Sequence, residues 1–318
     1  MMRRKNQIAA ILCALALAFL PTGCRPDLNI PDVDPVPVTP VDPVDPVDPT
    51  PTTRPTEPAA CTNKVVAHRG GSAECGVPDN SRASLKYAMG LKCYAMECDI
   101  YWTKDNDVVI AHASNTYYIN GLKPWENTLE QLRLAGRLKN GEELPSLSDF
   151  LDIVQVEGNC TKLCLDIKNL DGNLTQYPSK AVTRACEIIS ERKAEKFCEF
   201  ICTGNATVAA TAAACQVKYG IPVGWMSTSG PSTHLSKGFT WANLSTLYIE
   251  PYATSTPKHT IDEYLNAGMQ FSVFNVDQKA GDGNAATSDE AVAYYVSRYK
   301  DLRCICTNYP KWLLSKVQ

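Results

Sequence analysis

The chain has 318 residues, with 31 Lys and Arg against 34 Asp and Glu and a formal net charge of −3. That balance gives no basic field to recruit nucleic acid, so no nucleic-acid partner is expected. Much of the acid lies in one stretch: residues 25–60 hold Asp27, Asp32, Asp34, Asp42, Asp45, Asp48 and Glu57 against Arg25 and Arg54, and the remainder beyond the leader is near neutral.

The N-terminus carries Arg3, Arg4 and Lys5, then an apolar run from Ile8 to Leu20, ending at Thr22 and Gly23 before Cys24. The run is too short to cross a bilayer comfortably and reads as a secretory signal over residues 1–23. Gly23-Cys24 resembles the lipobox of bacterial lipoproteins, in which the cysteine is lipidated and begins the mature chain, although Pro21 stands where that motif prefers Leu. The expectation is an exported protein held at the bacterial cell envelope through lipidated Cys24, facing the periplasm or on the cell surface. Residues 24–60 repeat Val-Asp-Pro and Thr-Pro units without helical or strand periodicity. They read as a disordered, proline-rich stalk, extended at about 3 Å per residue.

The folded domain is expected over residues 61–318. Excluding Cys13 and Cys24, it holds twelve cysteines, an even number that would suit disulfides in an exported chain. Cys98, Cys164, Cys198, Cys202, Cys304 and Cys306 fall inside apolar runs, where cysteine equally serves as a small buried hydrophobe. Their spacings do not suit structural zinc.

From Lys64 onward, short β-branched or apolar runs alternate with amphipathic stretches. Eight strands are predicted near Lys64–Ala67, Ala95–Ile100, Lys162–Ile167, Cys198–Cys202, Pro222–Met226, Thr246–Glu250, Gln270–Asn275 and Leu302–Cys306. Between them helices are predicted at Ser81–Leu91, Ser146–Val154, Lys180–Arg192, Ala206–Val217, Ile261–Asn266 and Asp289–Arg298. Eight βα units in roughly 255 residues predict an α/β fold, a single TIM (β/α)8 barrel. An open doubly wound sheet is the alternative, but His68-Arg69-Gly70-Gly71 after the first strand is not a glycine-rich dinucleotide loop.

Ionisable residues gather at the strand ends. Val65-Val66-Ala67 runs into His68, Ala95-Met96 into Glu97-Cys98-Asp99, and Leu163-Cys164-Leu165 into Asp166-Ile167-Lys168. C-terminal strand ends form the active-site face of this barrel. Glu97 and Asp99 are two apart and share a strand face, as do Asp166 and Lys168. Each pair alone reads as an ordinary salt bridge or cap. Together they assemble like charges that resist burial unless a cation lies among them, and an all-carboxylate set suits Ca²⁺ first and Mg²⁺ second. His68 and His112, which follows Val108-Val109-Ile110-Ala111, are candidates for proton transfer. Glu250, at the end of the sixth predicted strand, is a weaker candidate for the same mouth.

These residues occur in the order of a known family's motifs. His68-Arg69-Gly70, Pro78-Asp79-Asn80-Ser81, Glu97-Cys98-Asp99, His112 and Asp166-Ile167-Lys168 resemble the H-R-G, P-E-N-T, E-x-D, H-D and E-x-K motifs of glycerophosphodiester phosphodiesterases. Leu144-Pro145-Ser146-Leu147 and Thr307-Asn308-Tyr309-Pro310 extend the likeness across the domain. The resemblance implies a divalent cation held at Asp79, Glu97, Asp99 and Asp166. It also implies His68 and His112 as general acid and base, unassigned between them, and Arg69 and Lys168 facing the phosphate, with Phe274 in the place of the family's substrate-side Trp. The implied reaction is hydrolysis of a small-molecule glycerophosphodiester to sn-glycerol 3-phosphate and an alcohol. Departures are Asp79 and Asp166 for Glu, Ala113 and Asn308 for Asp, and Phe274 for Trp. Two alternatives stay open. One is a phospholipase C- or D-like enzyme acting on intact lipid, with Trp102, Tyr117, Tyr118, Trp125, Trp225 and Trp241 as an apolar rim. The other is a non-catalytic binding protein on the same barrel.

Overall fold

In the computed structural model the described residues are 54–113, 118–170, 172–280 and 286–317. The leader, Cys24 and most of the stalk lie outside them, as does Tyr117. The apolar runs form nine strands: β1 (Val65–Ala67), β2 (Ala95–Trp102), β3 (Val108–Ile110), β4 (Lys162–Ile167), β5 (Cys198–Thr203), β6 (Val223–Met226), β7 (Trp241–Ser245), β8 (Gln270–Phe274) and β9 (Ile305–Thr307). All but β3 pair in parallel in the order β1-β9-β8-β7-β6-β5-β4-β2, and β1 also pairs with β2, which closes an eight-stranded parallel barrel. The expected TIM barrel is therefore present. β3 is an antiparallel addition to the far half of β2, with Ile100 opposite Ile110, and it carries the chain to His112 beside the mouth.

Among the described residues the α-helices are, in chain order, α1 (Ser72–Cys75), α2 (Arg82–Gly90), α3 (Leu129–Ala135), α4 (Leu147–Val154), α5 (Gln176–Glu191), α6 (Ala206–Tyr219), α7 (Pro231–Ser236), α8 (Ile261–Asn266), α9 (Asp289–Ser297) and α10 (Pro310–Val317). The starts of α2 and α4 follow from local chemistry. Ser81 and Ser146 each accept from the backbone N–H three residues on, and the side chains of Ser84 and Asp149 return the bond; such reciprocal caps satisfy donors that would otherwise be orphaned.

Alternation along the strands sorts the core into two layers. Val65, Ala67, Met96, Cys98, Ile100, Leu163, Leu165 and Ile167 face outward into the shell between strands and helices, with Phe150, Phe197, Phe200, Phe239 and Phe271. Val66, Ala95, Cys164, Ile201, Trp241 and Cys304 fill the barrel interior. Glu97, Asp99 and Asp166 continue that inward row toward the C-terminal strand ends. Gly224 gives Trp241 its room, since a Cβ there would come within 2.7 Å of the indole. All twelve domain cysteines are free thiols and most are buried, several within these two layers.

Two expectations need correction or extension. The predicted sixth strand, Thr246–Glu250, is displaced: the strand is β7, and Thr246–Tyr248 is a 3₁₀ turn started by the Ser245 hydroxyl, which accepts from Leu247 N–H. Inward-facing Asn243 and Ser245 disguise β7 as a loop in the sequence. Glu250 consequently falls beyond the strand and pairs with Lys258 at 3.1 Å. Residues 54–60, expected as the end of the stalk, lie on the N-terminal side of the barrel, where Ala59 N–H donates to the Asn159 carbonyl at 2.8 Å and Gln155 Nε2 to the Pro55 carbonyl at 3.2 Å.

Candidate active site

The site begins where β1 ends. Arg69, Gly70 and Gly71 all have positive φ, 48°, 86° and 75°, so the chain turns sharply after His68 and the Arg69 N–H points at Glu97 Oε2, 3.0 Å away. Gly70 is required twice over: its left-handed φ suits glycine, and a Cβ would sit 2.5 Å from the Ser84 Cβ. This turn places His68 Nε2 at 3.7 Å from Glu97 Oε2 and His68 Nδ1 at 2.6 Å from Asn308 Oδ1.

On β2 and β4 the register sets Asp99 opposite Asp166, and Glu97 lies one pleat below Asp99 on the same face. Glu97, Asp99 and Asp166 are 2%, 0% and 6% exposed, yet each offers an oxygen within 4.8 Å of the others'. Two cations answer these charges. Lys168 Nζ bonds both Asp99 Oδ1 and Asp166 Oδ2, and Arg69 Nε lies 3.4 Å from Asp99 Oδ2.

Burial, reinforced by the Asp99 charge, pushes the Glu97 carboxyl up to about 7. Burial also raises Asp166, against the opposing pull of Lys168. Asp99 is buried as deeply, but Lys168 and Arg69 together hold it below the ordinary carboxylate range. Burial would lower Lys168, but Asp166 and Asp99 win and raise it well above the ordinary lysine value, so it stays charged. Enclosure on one side of the exposed His112 ring lowers its pKa, against the pull of Asp99.

The structure brings together most of the residues singled out in the sequence. His68, Arg69, Lys168 and Phe274 line one cavity of about 250 Å³ with Glu97 and Asp166. His112 borders a second, of about 630 Å³, with Asp79, Tyr118, Arg137 and Lys139. The Arg69–Asp79 ion pair, 3.2 Å between Nη1 and Oδ2, stands between the two.

Asp79 is not brought into the carboxylate cluster. Its oxygens are taken by Arg69 and by the Ser72 hydroxyl, and its side chain is 41% exposed. The next residue takes the inward place instead: Asn80, at φ 54° and 2% exposed, donates Nδ2 to Asp99 Oδ2 at 2.7 Å and accepts from Asp99 N–H at 3.1 Å. Asn80 was missed as a site residue, although it stood in the quoted motif. Asp277, behind Asn308, was missed as well; its only signal was an acidic residue three positions beyond the end of β8.

The aromatic candidates for a lipid rim are largely internal. Trp225 stacks on Phe239 at 5.1 Å, Trp125 stacks on Tyr177 at 5.3 Å, and Trp241 fills the barrel. Tyr118 is exposed, and Trp102 is partly so.

A parallel barrel with carboxylates, imidazole, guanidinium and ammonium converging at its C-terminal mouth belongs to the class of barrel hydrolases that act on anionic esters. The sequence matches the glycerophosphoryl diester phosphodiesterase family over residues 68–311; the chain belongs to that family and is a phosphoric diester hydrolase. No curated protein matches it. Among solved structures, the fold is similar to a glycerophosphodiester phosphodiesterase from Parabacteroides distasonis, at 24% identity over 82% of this chain and 100% of that one, with a TM-score of 0.62. It is similar also to an Oleispira antarctica phosphodiesterase in complex with the product sn-glycerol-3-phosphate, at 16% identity over 80% and 96% of the two chains and a TM-score of 0.58. A third is the glycerophosphodiester phosphodiesterase of Thermotoga maritima, at 14% identity over 81% and 99%, with a TM-score of 0.55.

Proposed function

We propose that this phosphodiesterase hydrolyses glycerophosphodiesters to sn-glycerol 3-phosphate and an alcohol, with a divalent cation held by Glu97, Asp99 and Asp166. The observation that carries the reading is three buried carboxylates converging within 4.8 Å against two fixed cations, Arg69 and Lys168. The donor set fits the group: it is all oxygen, and Asp166 Oδ1 accepts no hydrogen bond among the described residues. Hard oxygen donors favour Ca²⁺ first and Mg²⁺ second. Such an ion, when bound, supplies positive charge for the phosphoryl oxygens as the diester is attacked.

The chain's own residues do the rest. Arg69 and Lys168 line the same cavity as the carboxylates and bind the phosphate anion, which gathers charge in the transition state. His68 and His112 flank the cluster and exchange protons with the attacking hydroxyl and the departing alkoxide. Phe274 lines the cavity as an apolar wall for the glycerol carbons. The burial of Trp125, Trp225 and Trp241 supports a water-soluble diester over intact lipid, because it leaves little apolar rim for acyl chains.

Anchoring at the cell envelope through Cys24 remains part of the proposal, supported by the basic leader, the short apolar run and Gly23-Cys24. No helix among the described residues is long and apolar enough to cross a membrane. Labelling with a fatty-acid analogue, lost on Cys24→Ala, tests it.

The decisive measurement is glycerol phosphate release from glycerophosphocholine, glycerophosphoethanolamine, glycerophosphoinositol and intact phospholipids, with Ca²⁺, with Mg²⁺ and with chelator. Turnover should need cation and both histidines, by His68→Ala and His112→Ala. Activity surviving exhaustive chelation removes the cation, and no turnover on any diester with cation bound favours the binding protein.

A further inference from the structure

Asp277 is almost fully buried, 1% exposed, and it makes no contact with the carboxylate cluster among the bonds described. Its three hydrogen bonds all come from Thr307, the last residue of β9, and Asn308, the first residue after it. Oδ1 accepts from Thr307 Oγ1 at 2.8 Å and from Asn308 N–H at 2.7 Å, and Oδ2 accepts from Asn308 Nδ2 at 2.8 Å. A carboxylate only accepts, so the Asn308 amide can present only its NH₂ to Asp277. Its carbonyl oxygen is thereby committed to the other side, where His68 Nδ1 lies 2.6 Å away. A carbonyl oxygen also only accepts, so Nδ1 carries the hydrogen. In the neutral ring the lone pair is then on Nε2, the nitrogen nearer Glu97.

We propose that Asn308 and Asp277 are positioning residues for His68, holding it as the Nδ1–H tautomer so that Nε2 is the atom that exchanges the proton. The inference rests on the phosphodiesterase reading for the proton's use, but not for the tautomer itself. In the step concerned, a hydroxyl oxygen bonds to phosphorus as its proton passes to one histidine, and the ester P–O bond breaks as the other histidine gives its proton to the departing alkoxide. In either of these transfers the atom of His68 that carries the proton is Nε2. Nδ1 takes no part, because it keeps its hydrogen, donated to Asn308 Oδ1. Where the family's motif has Asp after Thr, this chain has neutral Asn308 and moves the carboxylate one residue further from the ring, onto Asp277. The polarity of the chain of bonds survives the change, from imidazole N–H to amide carbonyl and from amide N–H to carboxylate. Outer partners of this kind typically change activity by about 10- to 100-fold when lost.

The test uses the whole chain. With only four histidines in the sequence, ¹⁵N-histidine NMR can assign His68 through a His68→Gln control. The expected wild-type signature is a protonated Nδ1 and an unprotonated Nε2. Asp277→Asn frees the Asn308 amide to turn, so a second tautomer should appear and kcat should fall about 10- to 100-fold with KM within about twofold. The exchanged pair, Asp277→Asn with Asn308→Asp, reverses the bond between the two side chains but again faces His68 Nδ1 with an oxygen that only accepts, so it should recover most of kcat and the single tautomer. A wild-type His68 protonated on Nε2, or Asp277→Asn with unchanged kcat and tautomer, overturns the proposal. If Asp277→Asn does not fold, the wild-type spectrum alone decides. If no diester is hydrolysed, the spectrum still tests the tautomer, so failure of the reaction and failure of the relay are read separately.

Discussion

The two ends of the barrel both bury acid, and they treat it differently. At the floor, Glu199 is 1% exposed and meets one guanidinium and one hydroxyl: Arg303 Nη2 at 2.7 Å and Tyr94 OH at 2.9 Å, with Arg303 also 4.3 Å over the Trp241 ring. One negative charge is matched by one positive, under an aromatic lid. At the mouth, three carboxylates share Arg69 and Lys168. Each end leaves an acceptor oxygen without a hydrogen bond among the described residues, Glu199 Oε1 and Asp166 Oδ1, so an orphan atom does not by itself mark a functional site. Charge count and convergence do. The floor is neutral and serves the fold; the mouth holds an excess of negative charge that burial penalises unless a further cation arrives.

The largest effect that tests this contrast is on turnover. His68→Ala or Glu97→Gln should lower kcat by about 10²- to 10⁴-fold, while the thermal midpoint stays near wild type in chelator. Removing the Glu97 charge takes away its repulsion with Asp99, and an unfolded Glu97→Gln would show that the cluster is structural. The floor should respond the other way. Glu199→Ala leaves the half-buried Arg303 without its counter-charge, with Gln270 and Tyr94 as its remaining hydrogen-bond partners, which costs about 3 kcal/mol of stability, with kcat per folded molecule unchanged. Denaturant melts scored beside kcat decide whether the ends differ as stated, and a floor variant that keeps its stability breaks the comparison.

A smaller effect is the dependence of stability on pH. The Glu97 carboxyl is pushed up from 4.5 to about 7 in the cation-free fold. A raised folded value means that the folded chain keeps a proton which the unfolded chain releases. The stabilisation is complete below about 4.5, declines as pH rises, and is gone above about 7, for a total on the order of 3 kcal/mol shared across the coupled cluster. A cation competes for the same oxygens, so its added stabilisation should grow over that window. Melting from pH 5 to 8, with Ca²⁺ and with chelator, should show the two curves diverging. Parallel curves would place the ion elsewhere.

The difference between the ends also decides what the sequence could reveal. The mouth was legible because β2 and β4 place charged residues two apart inside otherwise apolar strands, and alternation then forces them onto one face. Glu97, Asp99, Asp166 and Lys168 needed no more than that, and His68 only its place at the end of β1. The floor was not legible, since Glu199 and Arg303 lie on β5 and just before β9 and meet only once the barrel closes. β7 was displaced in the reading because its inward Asn243 and Ser245 interrupt the apolar pattern, and the Trp241–Ser272–Asn243 chain that satisfies them is visible only in three dimensions. Asp79 and Asn80 show the limit at single-residue scale. Adjacent residues in a turn point to opposite sides, and only the backbone dihedral at Asn80 tells which of them faces Asp99.

Asp79 supplies the smallest effect and the finest division of the mouth. It lies outside the convergent triad, with its carboxylate on Arg69 and Ser72, so Asp79→Asn should leave cation affinity within about twofold of wild type. Its effect should fall on Arg69. Without the ion pair the guanidinium is still held near Asp99 at 3.4 Å, and loss of one partly exposed contact is worth about 1 kcal/mol, or roughly a fivefold rise in KM for the diester with kcat nearly unchanged. Calcium titration by calorimetry, beside the kinetics, separates the two roles. A drop in cation affinity beyond tenfold would return Asp79 to the ligand set that the motif implies, in which case arrival of the ion must turn its side chain away from Arg69. A change confined to KM leaves the triad as the whole protein share of the cation site and makes Asp79 the residue that aims Arg69 at the phosphate.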